Sequence, residues 1–227
     1  MKQFKTSNLL LAAMAVWSAL TLHSCQIVEL VIGGTTYYDT EITTKDNQLI
    51  TGRIGGQRSS NLVSGSKTIS IKTDEGRKKV KSENIQYMTL ARKGHPEKQQ
   101  TLVYTDCKMP YTKKGEQRFR TFKNWQVLNS VGDHLLITAY GHSYSLAKDG
   151  ALLITYSRDE GIKYCIRRQN DDCPILFGRS ISSRSYMRKQ WQAYLSDDPV
   201  LCQKIANKEI DAFDFTTIAE QYNPTGK

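Results

Sequence analysis

From Tyr37 to Phe177 one local pattern recurs: a short run with apolar side chains at alternate positions, then a turn. A period of two puts successive side chains on opposite faces of a strand, so the pattern dictates antiparallel hairpins. The first runs are Thr36 to Thr44, Leu49 to Ile54, Thr68 to Thr73, Arg77 to Lys81 and Ile85 to Leu90. Lys45-Asp46-Asn47 and Asp74-Glu75-Gly76 separate them as turns, and Gly55 to Gly65 reads as a polar Gly/Ser loop. Five short strands of this kind suit a small closed or half-closed barrel.

The polar stretch 91–99 carries Gly94 and Pro96 and reads as a boundary between two β regions. A second series follows. Leu102 to Tyr104 is a strand, and Asp106 to Gln117 reads as a charged loop holding Cys107, Pro110 and Gly115. Phe119 to Leu128, His134 to Tyr140, Ser143 to Leu146, Leu152 to Tyr156, Ile162 to Ile166 and Ile175 to Phe177 form a meander. Its turns, Lys148-Asp149-Gly150 and Asp159-Glu160-Gly161 among them, supply the positive φ that hairpins need.

The period then changes. Met187, Trp191, Tyr194 and Leu195 fall on one face of a helix. Asp198-Pro199 is a cap followed by a first-turn proline, and Leu201 and Ile205 give a second helix its apolar side. Asp214 caps a third, carrying Phe215, Ile218, Ala219 and Tyr222, and Asn223-Pro224 stops it. The expected class is α+β, mainly antiparallel β (a small barrel plus a β-meander), with a short C-terminal helical tail.

The first 25 residues address the chain. Lys2 and Lys5 precede an apolar core from Leu9 to Leu22, about 14 residues long and short of the roughly 20 that span a bilayer. That is a secretory signal. Its end, Leu22-His23-Ser24-Cys25, resembles a bacterial lipobox, with His23 where a small residue is usual. The resemblance implies that Cys25 becomes the first mature residue and carries acyl chains such as palmitate. Two other readings of the residues remain: cleavage nearby that leaves Cys25 a plain thiol, or an uncleaved anchor running on to Ile32, which Gln26 and Glu29 disfavour. The expected organisation is a signal at 1–24, a tether at 25–35, a barrel at 36–92, and a meander at 100–227 with helices at 183–223.

The chain has 32 Lys and Arg against 22 Asp and Glu, a net +10. Residues 1–24 hold two Lys and no acid, so the remainder stands at +8. Such a balance favours anionic partners. Export removes nucleic acid from consideration and leaves anionic lipid, lipopolysaccharide, cell-wall polymer or another envelope protein. Arg77, Lys78, Lys79 and Lys81 form the densest basic cluster and the candidate anionic contact, with a solvated hairpin face as the plainer reading. Beyond Cys25 the cysteines are Cys107, Cys165, Cys173 and Cys202. Outside the cytosol four thiols admit two disulfides in three pairings.

Catalytic constellations do not emerge. Gly141-His142-Ser143-Tyr144-Ser145 lacks the final glycine of a nucleophile elbow, and the chain lacks its strand-to-helix setting. His134, His142 and Asp133 fall short of a metal set, and no zinc spacing occurs among Cys and His. Asp171-Asp172 and Asp197-Asp198 read as turn and cap residues. No phosphate-binding glycine loop is present, so neither a cofactor nor a metal is expected.

Two further resemblances bear on identity. TEITTKDNQLITGRI and TISIKTDEGRKKVKSENIQYM resemble small bacterial lipoproteins whose mature part is an SH3/Sm-like β-barrel without catalytic residues. RKQWQAYLSDDPVLCQKIANKEIDAFDFTTIAEQYN is similar to the end of uncharacterised exported proteins of the Bacteroidota kind. The matching positions are Tyr194 to Asp197, Pro199, Leu201, Ile205, Asn207 to Glu209 and Tyr222-Asn223, with Asp198 where that group carries Cys. Together these readings predict a lipid-anchored binding or structural module of the cell envelope, on the outer rather than the inner membrane. An accessory subunit of an envelope complex and an enzyme acting on envelope polymer are the alternatives.

Overall fold

The computed structural model describes residues 37–55 and 62–224. The signal segment, Cys25, the tether and part of the Gly/Ser loop lie outside the described residues. Thirteen strands and three α-helices follow in order among the described residues. The strands are β1 (Tyr37–Thr44), β2 (Leu49–Gly55), β3 (Leu62–Val63), β4 (Thr68–Thr73), β5 (Gly76–Lys81), β6 (Ile85–Arg92) and β7 (His95–Lys113). They continue with β8 (Glu116–Val131), β9 (Leu135–Tyr140), β10 (Ser143–Leu146), β11 (Leu152–Thr155), β12 (Lys163–Arg168) and β13 (Ile175–Arg179). The helices are α1 (Arg184–Tyr194), α2 (Pro199–Ala206) and α3 (Phe215–Gln221). The α+β, mainly antiparallel class holds, with the helices at the C-terminal end.

Alternation builds the first strands as the sequence dictates. Tyr38, Thr40, Ile42 and Thr44 of β1 point inward while Asp39 and Glu41 face water. Ile69 and Ile71 do the same on β4. Each such buried isoleucine contributes about 1.5–3 kcal/mol. A 3-10 turn, Ser82–Asn84, separates β5 from β6. β6 pairs with β1, so the strands of residues 37–92 other than β3 lie in the order β6-β1-β2-β4-β5.

The stretch 91–99 is not a linker. Arg92 faces His95 across a tight turn, and after an irregularity Gln100, Thr101 and Leu102 of β7 pair with Leu90, Thr89 and Met88 of β6. Gly94 sits at φ 87°, a turn conformation that glycine accepts without strain. A hairpin tip and a linker share the same polar, glycine-bearing composition, and the pairing partner decides between them. One sheet therefore runs through both β regions in the order β13-β12-β9-β8-β7-β6-β1-β2-β4-β5.

Within it β7, β8, β9, β12 and β13 close on themselves, because β13 also meets β7 in parallel at Ile175 and Lys108. Cys107, Tyr140 and Cys165, with Phe122 and Leu176, share one face of these strands inside the closed barrel. Buried Gln126 donates to Asn124 (3.0 Å), and Thr138 donates to Gln126, whereas the Tyr140 hydroxyl is buried without a hydrogen-bond partner. On the alternate face, Leu102, Trp125 and Val127 join the core of the first strands. A small sheet, β11-β10-β3, stitches the halves together.

The helices cover the outer face of the closed barrel. Leu135, Ile137, Ile166 and Phe177 meet Met187, Trp191, Leu201, Ile205, Phe215 and Ile218 in a second core. Ser183, Asp198 and Asp214 cap the three helices by accepting from Tyr186, Leu201 and Thr217 backbone N–H groups. Gly132 makes the close fit possible: a Cβ there would lie 1.9 Å from the Ala219 carbonyl oxygen.

Candidate functional site

A polar cleft of about 260 Å³ opens where the helical tail meets the end of β12. His134, Arg168, Asp171, Asp197, Tyr222 and Asn223 line it. Arg168 is the hub. Its guanidinium donates to Asp197 (3.0 Å) and to the Tyr194 carbonyl, and lies 4.3 Å from the centre of the Tyr194 ring. A planar, always-charged group suits such combined pairing and stacking. Tyr194 donates to Asp171 (2.6 Å) and Tyr222 to Asp197 (2.9 Å). Asp198 accepts from the Leu201 and Asn223 backbones, 3.0 and 2.9 Å away. Residues of the YLSD segment at the junction of α1 and α2 and of the YN segment after α3 are thus brought together. They clamp it to the barrel.

Burial, followed by the hydrogen bond to Asp197, pushes the Tyr222 hydroxyl from 10 up to about 12. Burial and the Asp171 contact move Tyr194 in the same direction. A folded-state value above the unfolded one gives stability that is complete below pH 10 and lost as pH climbs toward 12. The wild-type Tm is expected to fall more steeply than that of Tyr222→Phe across this range. Parallel Tm curves for the two proteins would rule out this linkage.

The structure places the basic cluster on β5, the last strand of the sheet order. Lys78 is paired with Glu75 (2.7 Å) and Lys81 stands 3.8 Å from Glu83, so half of the cluster is locally balanced. Arg77 lies opposite Lys72, and Lys72 opposite Arg53. Arg53 and Lys72, with Lys93, Asp39 and Asp74, line an open groove of about 440 Å³. Strand register gathers Arg53, Lys72 and Lys93, which no local run of charge announces. Gly52 permits the approach: a Cβ would meet the Lys72 carbonyl at 2.4 Å.

The cysteines divide between the two cores. Cys107 and Cys165 are fully buried with their Sγ atoms 3.1 Å apart. Burial, then the contact with Cys107, raises the Cys165 thiol. Cys173 is buried on the turn before β13. Cys202 belongs to the helical layer, where its Sγ lies 3.1 Å from the Leu195 carbonyl. Of the four cysteines that the sequence leaves open to pairing, Cys107 and Cys165 thus share one core and Cys202 packs against the other. His134 and His142 flank opposite ends of β9 and do not converge. Ser143 begins a strand, pairing with Val63 and Thr155, and sits on no elbow.

One surface was hidden from the sequence. The expected loop from Asp106 to Gln117 is instead the distal half of a continuous β7–β8 ribbon, paired up to Lys113 and Glu116. Lys114 and Gly115 form its tip at φ 53° and 81°, the positive values a two-residue hairpin turn needs. Every residue from 111 to 121 is exposed, so this arm projects free of the body on both faces. It carries Lys113, Lys114, Arg118 and Arg120 against Glu116 alone, with Tyr111 and Phe119 also exposed. Beyond Met109 and Arg120 it extends about 15 Å, given the rise of an antiparallel strand.

No protein family, curated protein or solved structure matches the chain. Among the described residues no helix is long and apolar enough to cross a membrane.

Proposed function

We propose that the protein is a lipid-anchored binding or structural module of the cell envelope, held by Cys25 and contacting an anionic envelope polymer. The β7–β8 arm carries this reading. A ribbon exposed on both faces adds nothing to its own core, and its net charge and two aromatic side chains suit an anionic surface. The groove of Arg53, Lys72 and Lys93 beside Arg77 offers a second basic surface. The SH3/Sm-like reading of residues 36–92 is kept as part of this proposal on its sequence resemblance alone. An accessory-subunit role is the second reading, favoured by β5, whose outer edge ends the sheet order.

The test pairs intact mass with membrane fractionation. Wild-type protein made with its own signal should carry acyl mass and pellet with membranes, and Cys25→Ala should do neither. In the Cys25→Ala background, reversing Lys113, Lys114, Arg118 and Arg120 to Glu should weaken sedimentation with an anionic envelope polymer at least about tenfold. Each basic residue near an anionic surface contributes about 1 kcal/mol. Unmodified, soluble wild-type protein would remove the anchor, and unchanged sedimentation would remove the arm.

A further inference from the structure

We propose that Cys107 and Cys165 form a single disulfide under oxidising conditions, leaving Cys173 and Cys202 as thiols. The two cysteines come from strands that are not neighbours in the sheet. Cys107 is on β7 and Cys165 on β12, with β13 between them. β13 pairs with β12 at Leu176 opposite Cys165, yet meets β7 through one ladder position, Ile175 and Lys108. That position is held by the bond from Lys108 N–H to the Pro174 carbonyl (2.9 Å). The thiol pair therefore spans the seam at which the barrel closes, and it does so where the ladder is shortest.

The geometry points to a bond rather than to packing. Both side chains are wholly excluded from solvent, and their sulfurs stand 3.1 Å apart. Even smaller carbon atoms, when not bonded, sit best at about 3.5–4.0 Å. Cys173 is buried on the turn before β13. Cys202 faces the backbone carbonyls of α1. Of the pairings open to the four cysteines, one is assembled.

The chemistry balances as thiol–disulfide exchange with a protein disulfide or a small-molecule disulfide such as oxidised glutathione. One thiolate of the pair attacks the donor disulfide, giving a mixed disulfide and releasing one donor thiol. The second thiolate attacks the mixed disulfide and releases the other donor thiol. One S–S bond forms here and one breaks in the donor. Two electrons pass to the donor, and the two protons lost by Cys107 and Cys165 are taken up by its sulfurs. Because both cysteines are buried, exchange precedes final closure of the barrel or accompanies its opening.

The proposal rests on the envelope reading only for where the oxidant is met, and the test is independent of export. The full chain is purified, equilibrated with oxidised glutathione, denatured, alkylated and mapped by mass spectrometry. The expected result is one linked pair of peptides containing Cys107 and Cys165, two hydrogens lighter than the separate peptides, with Cys173 and Cys202 alkylated. Reductant should lower the Tm of wild-type protein by about 5–10 °C and leave Cys107→Ser unchanged. If Cys107→Ser fails to fold, the reductant shift in Cys173→Ser, expected to equal that of wild type, takes its place. Alkylation of Cys107 or Cys165, or a link through Cys173 or Cys202, overturns the assignment.

Discussion

Trp125→Ala is expected to destabilise the protein by about 3–5 kcal/mol, the range for removing a buried tryptophan. The residue is fully buried on β8, and three other parts of the chain depend on it. Its indole N–H reaches the Ser66 carbonyl (3.1 Å) and the Ser82 hydroxyl (3.2 Å). Its backbone N–H donates to Ser64 (2.7 Å), and its carbonyl accepts from the Tyr144 hydroxyl. Its ring packs on Tyr104, 5.4 Å between centres. Trp125→Phe keeps most of the volume and removes the indole donor, while the Ser82 hydroxyl still donates to the Ser66 carbonyl (2.7 Å), so a smaller loss of about 0.5–1.5 kcal/mol is expected. Urea unfolding followed by circular dichroism checks both. A Trp125→Ala loss below about 1 kcal/mol would show that the core collapses around the vacancy, contrary to this account.

Trp191→Ala should cost a similar amount, about 3–5 kcal/mol, but act elsewhere. Trp191 is fully buried on α1, donates to the Ala212 carbonyl (2.9 Å) and packs 4.1 Å from the Phe177 ring. It ties the helical layer to the outer face of the barrel. Amide hydrogen exchange should therefore quicken across 184–221 while β1 and β2 remain protected. Equal acceleration in β1 and β2 would mean that the helical layer and the first strands open as one unit.

Where neighbours in sequence decide the structure, the residues announced it. Ile69 and Ile71 alternate with Ser70 and Lys72, and β4 runs as their alternation requires. Asp198-Pro199 and Asp214 start helices at the expected positions because a cap is a bond within one turn. The arm escaped notice for a physical reason. Tyr111 to Thr121 is solvated on both faces, so no apolar period marks it as strand. The stretch 91–99 misled because a hairpin tip and a linker need the same residues.

The candidate surfaces were less legible still. Arg168, Asp197 and Tyr222 converge from a strand, a turn and a helix end, and Arg53 meets Lys72 through register alone. The four cysteines gave three pairings on paper. Only placement in two separate cores removes Cys202 from the set.

The return of β13 to β7 has a kinetic consequence. Ile175 has to find Lys108 across the whole span of β8, β9 and β12 before the barrel is complete. Contacts so far apart in sequence raise the contact order, and chains dominated by such pairings fold on the slower millisecond-to-second scale. The barrel cannot close until its last strand is present. A chain passing through a membrane in extended form would thus keep this part open until translocation had delivered that strand.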